Sequence, residues 1–296
     1  MKPAPFRYAA PDTLDEAIAL SDRFGDSARM LAGGQSLLAM MNLRIVRPEV
    51  VIDLNRVPGL AAWRQLDGSL RIGAMLRQQV LETPDGPTGA LPLLGAAIRH
   101  VGHRATRSRG TVGGSLAHAD PAAELPACML ALDAEIVAQS SAGERTIPAA
   151  AFFRDTFTTA LSETEILCEI RVPVPSADRY GCSFIEIARR HGDFAVAAIA
   201  CVVEGRADGR IGVAKLAMAG VGPVPLRLAE AELVLAGADP TGEAFAEAGR
   251  AAMRAIDPPS DLHATAEYRR AVAPVLVERA LAEACRAASL EGAGDA

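Results

Sequence analysis

Ala32-Gly33-Gly34-Gln35-Ser36 and Thr111-Val112-Gly113-Gly114-Ser115 are two versions of one design, paired glycines closed by a small hydroxyl residue. Adjacent glycines reach positive φ and carry no Cβ, so the backbone can lie against a ligand. Successive amides in such a turn converge on an anion, and Ser36, Thr111 and Ser115 add hydroxyl donors. Each turn leads into an apolar run. Together they predict one extended ligand with a diphosphate in its middle.

The flanks of the first turn read as alternating helix and strand. Thr13-Leu14-Asp15-Glu16 has the form of a capping box, with Leu14, Ala17, Ile18 and Phe24 on one helical face and Gly25 as the stop. Residues 28–31 read as a short strand that delivers the turn, and Ser36 can cap a helix or turn over 37–41. Further strands are expected at 50–54 and 69–74, and an amphipathic helix over 91–101 ends at Gly102. Between it and the second turn lie Arg104, Arg107 and Arg109. This stretch, 103–110, is either a solvated loop or a surface that meets a phosphate or an acidic partner.

After the second turn, residues 121–132 suit a helix, 135–139 and 144–147 a hairpin, and 166–172 a strand. Pro173-Val174-Pro175-Ser176-Ala177-Asp178 is the best domain boundary by composition. The remainder reads as a separable unit. It has strands over 183–188, 195–204 and 213–219, then helices over 226–235, 242–255 and 265–288. Strands followed by helices pack most simply as an antiparallel sheet covered by helices. The tail from Glu291 reads as a frayed end.

Composition narrows the function. Of 296 residues 50% are apolar, enough for a sizeable core, and the length suits two domains. Net charge −6 and pI ≈ 5.5, with no long basic run, speak against nucleic acid or anionic membrane as partner. No stretch reaches the ~18 apolar residues of a membrane span, and Met1-Lys2-Pro3-Ala4-Pro5 lacks an apolar or twin-arginine signal. The expected location is the cytoplasm. Cys128, Cys168, Cys182, Cys201 and Cys285 are scattered and contain no C-x-x-C, so they read as buried free thiols. They cannot supply the clustered thiolates of an iron–sulfur centre.

Several chemistries are excluded on pattern. Gly220-Val221-Gly222-Pro223 lacks the third glycine of a dinucleotide fingerprint and does not open a helix. His100, His103 and His118 match no metal-ligand spacing, and no Ser or Cys has a partnered His. No catalytic residue and no metal ligand is assigned.

The two glycine turns, taken with Ala117-His118-Ala119-Asp120-Pro121-Ala122-Ala123-Glu124-Leu125, resemble the FAD-binding medium subunit of molybdenum hydroxylases, the family of carbon monoxide dehydrogenase medium chains and xanthine dehydrogenase flavoproteins. The resemblance runs through Pro3 to Tyr8, Arg47 to Leu54 and Arg189-Arg190-His191-Gly192-Asp193-Phe194-Ala195, and so covers essentially the whole chain. It implies an α+β fold: a two-subdomain FAD-binding domain of vanillyl-alcohol-oxidase (PCMH) type over 1–177, then a small α+β domain over 178–296.

By that resemblance Ala32, Gly33, Gly34, Gln35, Ser36 and Leu37 hold the FAD diphosphate from one side. Thr111, Gly113, Gly114 and Ser115 hold it from the other, again through amides and hydroxyls. Ala117, His118 and Asp120 line the cofactor, and Glu124 meets its sugar or ribityl part. Phe194 covers the isoalloxazine, with a core position at a strand start as the alternative. Leu167 or Ile166 packs beside the ring or in the core. Some relatives carry a lysine near position 186; this chain has Glu186, so a lysine-to-flavin contact is not carried over and Glu186 reads as a solvated side chain.

The implied role is electron transfer within an (αβγ)2 heterohexamer. A large subunit with a molybdopterin cytosine dinucleotide-type cofactor oxidises the substrate, and two [2Fe–2S] clusters of a small subunit feed the FAD. The FAD passes electrons to a quinone, NAD or oxygen. The substrate class is an N-heterocycle, CO or an aldehyde. Two rivals stay open: a self-contained flavin oxidase of a small molecule, and an assembly subunit without flavin.

Overall fold

The computed structural model describes residues 2–83 and 85–290. The expectation of a frayed tail from Glu291 lies outside the described residues.

Three short parallel strands build the first unit: β1 (Arg7–Ala9), β2 (Ala28–Leu31) and β3 (Val50–Asp53), in the order β1-β3-β2. Helix α1 (Leu14–Phe24) joins β1 to β2 and opens on the expected cap, where Thr13 Oγ1 accepts from the amide of Glu16 at 3.2 Å. Helix α2 (Leu37–Asn42) follows the first glycine turn. Ser36 precedes it with helical dihedrals and no side-chain cap bond, so its hydroxyl is left unused by the helix. All four residues of β3 are buried, because α1 covers one face of this sheet and the second unit the other.

The second unit holds a five-stranded antiparallel sheet and most of the helices between the glycine turns. Strands β4 (Trp63–Leu66) and β5 (Ser69–Gly73) form a hairpin, of which only the second arm was expected. Helix α3 (Pro92–Ile98) is shorter than the expected 91–101; it opens on Pro92, and the chain then turns at His100. Residues 103–110 are not a bare loop but contain the one-turn helix α4 (Arg104–Arg107). Helix α5 (Val112–His118) carries the second glycine pair, and α6 (Glu124–Ala131) begins three residues later than expected. Strands β6 (Glu135–Ser140) and β7 (Gly143–Pro148) form the expected hairpin. Helix α7 (Ala149–Phe152) and the pair β8 (Phe153–Asp155) and β9 (Thr158–Thr159) lead to β10 (Ile166–Pro173), which closes the sheet in the order β4-β5-β10-β6-β7.

The third unit is an antiparallel sheet of β11 (Tyr180–Ile187), β12 (Ala197–Gly205), β13 (Ile211–Ala219) and β14 (Leu226–Arg227), covered by α8 (Ala229–Leu235), α9 (Gly242–Ala255) and α10 (Ala266–Ala287). Residues 226–227 pair with β13 instead of starting a helix, because Arg227 is drawn to Asp133 and Glu232. The unit is not separable in the expected sense. Ala197, Ile199, Cys201 and Val203 point into the core under α9 and α10. The intervening Ala198, Ala200 and Val202 belong to the same core as Leu94 and Ile98 of α3 and Leu125 and Met129 of α6. Strand β12 is therefore buried on both faces, and helices α3 and α6 of the second unit form one of its walls.

Close approach of β11 to α10 rests on a missing Cβ. A Cβ at Gly181 would stand 2.6 Å from the Ala288 nitrogen and closer still to the Ala284 carbonyl oxygen. Overpacking of this kind costs about 1–3 kcal/mol. Gly181→Ala is expected to lower the melting temperature by several degrees; a melt unchanged within error would show that α10 can shift freely.

Candidate functional site

The two glycine turns meet. A Cβ at Gly33 would lie 2.7 Å from Gly110 Cα, with the Arg109 carbonyl oxygen nearer still, so the first turn is pressed directly against the approach to the second. Asn55, in the turn after β3, donates from Nδ2 to the Ala32 carbonyl at 2.9 Å, while its Oδ1 accepts from Arg77. Arg77 also donates to the Arg109 carbonyl. A single amide–guanidinium link thus clips both turns to one another. Neither Asn55 nor Arg77 was picked out from the sequence, because each acts on backbone carbonyls and such contacts leave no motif.

The turns differ in what their amides do. Among the described residues, the N–H groups of Gly33, Gly34, Gln35 and Ser36 make no intramolecular bond. Gly34 sits at φ +71°, the left-handed conformation that glycine adopts without strain. In the second turn, Gly113 N–H donates to the Ala74 carbonyl at 2.8 Å and Gly114 N–H to Thr111 Oγ1 at 3.0 Å. The expectation that Gly113 and Gly114 donate amides to a ligand is therefore corrected. Their role is steric: a Cβ at Gly113 would meet Ala74 at 2.6 Å, and one at Gly114 would meet the Thr111 hydroxyl at 2.6 Å.

Both turns open onto one cleft of about 320 Å³. Ala32, Gly33, Gly34, Gln35, Ser36 and Leu37 form one rim, and Thr111, Gly113, Gly114, Ser115, Ala117 and His118 face them. Asp120, Glu124, Leu167 and Phe194 complete the set read from the sequence, so every candidate residue lies on this one cleft. Phe194 is 57% exposed, which rules out the core alternative, whereas Leu167 is buried at 6% and forms wall and core at once. Met30, Met40, Leu54 and Met75 make an apolar floor that sequence reasoning missed, since methionines at strand and helix positions look like ordinary core.

The polar end of the cleft is shaped by burial. His118 stacks on Phe157 with ring centroids 5.0 Å apart, and burial holds its pKa below the usual value. Asp120 does not lie on a helix; its Oδ1 accepts from the amide of Ala122 at 2.9 Å and shapes the turn into α6. Glu124 is 4% exposed, and burial raises its pKa to about 8, with the charges of Glu186 and Asp120 adding to the shift. It is protonated at neutral pH and can donate as well as accept.

Glu186 overturns its expected solvation. Its side chain is 3% exposed, Oε2 has no partner, and burial raises its pKa to about 7. Strand alternation was the available signal: Cys182, Phe184 and Glu186 share a face, and that face is the core.

These carboxyls predict a pH-dependent stability. An acid whose pKa is raised on folding binds its proton more tightly in the folded state, so stability falls as pH rises from the unfolded carboxylate range through the folded value. With Glu186 near 7 and Glu124 near 8, the chain is expected to melt lower at pH 8.5 than at pH 6. Glu124→Gln should flatten that decline, and thermal melts at both pH values check it. An undiminished slope in the variant would contradict the assignment.

The family described as "FAD binding domain in molybdopterin dehydrogenase" matches residues 4–175, and that described as "CO dehydrogenase flavoprotein C-terminal domain" matches residues 183–284. The chain belongs to the FAD-binding subunits of the molybdenum hydroxylases. It is 40% identical over 285 residues, 96% of each chain, to the 6-hydroxypseudooxynicotine dehydrogenase complex subunit alpha of Paenarthrobacter nicotinovorans. Among solved structures it superposes on carbon monoxide dehydrogenase from Hydrogenophaga pseudoflava with TM-score 0.93 at 38% identity, covering 97% of this chain and 99% of that one. Quinoline 2-oxidoreductase from Pseudomonas putida 86 gives 0.92 at 34%, with 97% and 99% covered. The chain is thus an FAD-containing oxidoreductase subunit. No helix among the described residues is long and apolar enough to cross a membrane.

Within this family frame the arginines of 103–110 separate into two kinds. Arg107 is an internal brace: it pairs with Glu82 at 2.6 Å and donates to the carbonyls of Val101 and Gly102 at 2.9 and 3.1 Å. Arg104 and Arg109 have exposed side chains. Arg107→Glu is therefore expected to lower the melting temperature by setting two carboxylates against each other, while Arg109→Glu leaves it unchanged. Equal melts for both variants would contradict this division.

Proposed function

We propose that the chain is the electron-transfer subunit of a multi-subunit molybdenum hydroxylase and that its FAD lies in the cleft between the two glycine turns. The observation that carries this reading is the cleft itself. One end presents the unpaired amides of residues 33–36 and the hydroxyls of Ser36, Thr111 and Ser115, as a diphosphate requires. The floor is apolar, as a planar ring system requires, and Phe194 stands at the exposed end.

In this reading Arg77 and Arg109 supply positive charge behind the turns; burial and the neighbouring Arg109 charge lower the pKa of Arg77. Protonated Glu124 and the carboxylate of Asp120 bind ligand hydroxyls as donor and acceptor. Leu167 and Ile166 flank the ring, and Phe194 limits access to it. Bound FAD supplies the redox chemistry, accepting and passing on electrons that the protein's own side chains cannot carry.

The electrons come from two [2Fe–2S] clusters of a small subunit, and the substrate is oxidised at a molybdenum cofactor in a large subunit. The three form an (αβγ)2 assembly that passes electrons to an external acceptor, with a quinone preferred over NAD or oxygen. The relatives named for quinoline and 6-hydroxypseudooxynicotine favour an N-heterocycle over CO or an aldehyde as substrate. We take the domain division to lie at 177/178, a reading supported by the matched stretches 4–175 and 183–284 on either side of it.

Mass spectrometry of what co-purifies with the tagged chain from its host tests the assembly. A large chain and a small cysteine-rich chain are expected. A lone yellow protein that reduces its flavin with a small molecule would overturn the subunit role in favour of a self-contained oxidase, and a colourless one in favour of an assembly subunit.

A further inference from the structure

Tyr8 and Asp53 do not line the cleft, yet a continuous chain of hydrogen bonds joins them to both glycine turns. Strands β1 and β3 run parallel with Tyr8 opposite Val51, and the Tyr8 hydroxyl donates to Asp53 Oδ2 at 2.5 Å. On its other side β3 pairs with β2, where Asp53 stands opposite Leu31, the residue before the first turn. Asp53 Oδ1 accepts from the backbone amide of Asn55 at 2.9 Å and from its Nδ2. The same Nδ2 donates to the Ala32 carbonyl, and Asn55 Oδ1 accepts from Arg77, which donates in turn to the Arg109 carbonyl. Every link from Tyr8 to Ala32 and to Arg109 is a direct hydrogen bond of 2.5 to 2.9 Å.

The chemistry of the groups leaves this chain one orientation. A carboxylate only accepts and a guanidinium only donates, so the Asn55 amide turns its NH2 to Asp53 and its oxygen to Arg77. Flipped, it would set its oxygen against the Ala32 carbonyl and its NH2 against Arg77, and both turns would lose their tie. Tyr8 holds the second carboxylate oxygen and so fixes the plane in which Oδ1 meets Asn55. Burial pushes the Asp53 carboxyl up, but the bonds from Tyr8 and Asn55 and the Arg77 charge hold it below its usual value, so it is charged at neutral pH. The bond to Asp53 raises the pKa of Tyr8, which keeps the proton it donates.

We propose, on the reading that FAD occupies the cleft, that Tyr8 and Asp53 are positioning residues for its diphosphate: they lock the Asn55 amide, and through Asn55 and Arg77 they hold the two glycine turns in register. Neither residue touches the cofactor. Their effect falls on the turns, so a flavin bound through a diphosphate feels it and one held by its ring does not.

The test is titration of the flavin-free full chain with FAD and with FMN, as wild type, Tyr8→Phe, Asp53→Ala and the double variant. Tyr8 is exposed, so loss of its hydroxyl leaves the fold intact, and circular dichroism verifies this for each variant. Tyr8→Phe is expected to weaken FAD binding roughly three- to tenfold, the worth of one hydrogen bond. Asp53→Ala should weaken it about tenfold to a hundredfold, as for lost bonds to a charged group. The double variant should match Asp53→Ala, because Tyr8 acts only through Asp53. FMN should bind all four alike. Unchanged FAD affinity in either single variant would overturn the positioning role. A loss shared equally by FMN would overturn it too, since that marks general damage to the cleft, and so would losses that add in the double variant.

The wild-type titration separately reports on the cleft. FAD that fails to bind, or binds no tighter than FMN, marks failure of that reading and not of the network, and amide NMR signals of the flavin-free chain then decide. In Tyr8→Phe the signals of the Asn55 side chain, Gly33 and Gly110 are expected to move while that of Gly143 stays. Shifts confined to β1 and Asp53 would overturn the network.

Discussion

Gly33→Ala is expected to lose FAD while keeping its fold. The added Cβ would collide with backbone at Gly110 Cα, 2.7 Å away, and at the Arg109 carbonyl, neither of which can rotate aside as a side chain could. Relief requires the turns to separate, which breaks the Asn55–Arg77 link and spreads the unpaired amides of residues 33–36. Overpacking costs about 1–3 kcal/mol, and when it falls on the ligand-bound geometry alone, roughly a tenfold to hundredfold loss of affinity follows. Gly143→Ala is the control. Gly143 sits at φ +111° in the β6–β7 hairpin with nothing within 4 Å, so that variant loses some stability and no affinity. Flavin titration with circular dichroism measures both, and an unchanged FAD affinity in Gly33→Ala would contradict the close apposition of the turns.

The largest stability effect is expected at Arg269. This α10 side chain is 3% exposed, and its Nη1 donates to the carbonyls of Val196 and Gly220 while Nη2 pairs with Asp261 at 2.7 Å. It ties α10 to the start of β12, two residues beyond Phe194. Arg269→Met keeps the bulk but leaves two buried carbonyls unpaired. A buried acceptor left unpaired costs about 1–3 kcal/mol, so with two such carbonyls denaturant unfolding should show a loss of at least that order, and a loss within error of zero would contradict the role.

Asp261 adds a pH signature to the same contact. Burial pushes its carboxyl up, but the amides of Ala264 and His263 and the Arg269 guanidinium hold it below 3.8. Its contribution is present above the unfolded value and lost as pH falls through the lower, folded one. That acid-range loss should shrink in Arg269→Met.

What was legible in the sequence was whatever backbone conformation demands of residue type. Paired glycines, the Thr13 cap and the helix over residues 242–255 are each required locally, and each stands where expected. Tertiary roles were not legible. Arg77, Asn55 and Arg269 hold carbonyls, which any residue can offer, so no pattern marks their partners. The amides of Gly113 and Gly114 could not be known to be spent until Ala74 and Thr111 were placed beside them. Glu186 read as solvated, and only its shared face with Cys182 and Phe184 hinted that it is buried.

The most direct test of the diphosphate-binding cleft is titration of the flavin-free chain with FAD and, separately, with FMN, which has the same ring and ribityl chain but a single phosphate. If the facing glycine turns hold a diphosphate, FAD binds and FMN binds at least a hundredfold more weakly, a gap of about 2.7 kcal/mol. Equal affinities would show that the ring pocket alone captures the flavin and that the two turns do not form the anion site assigned to them.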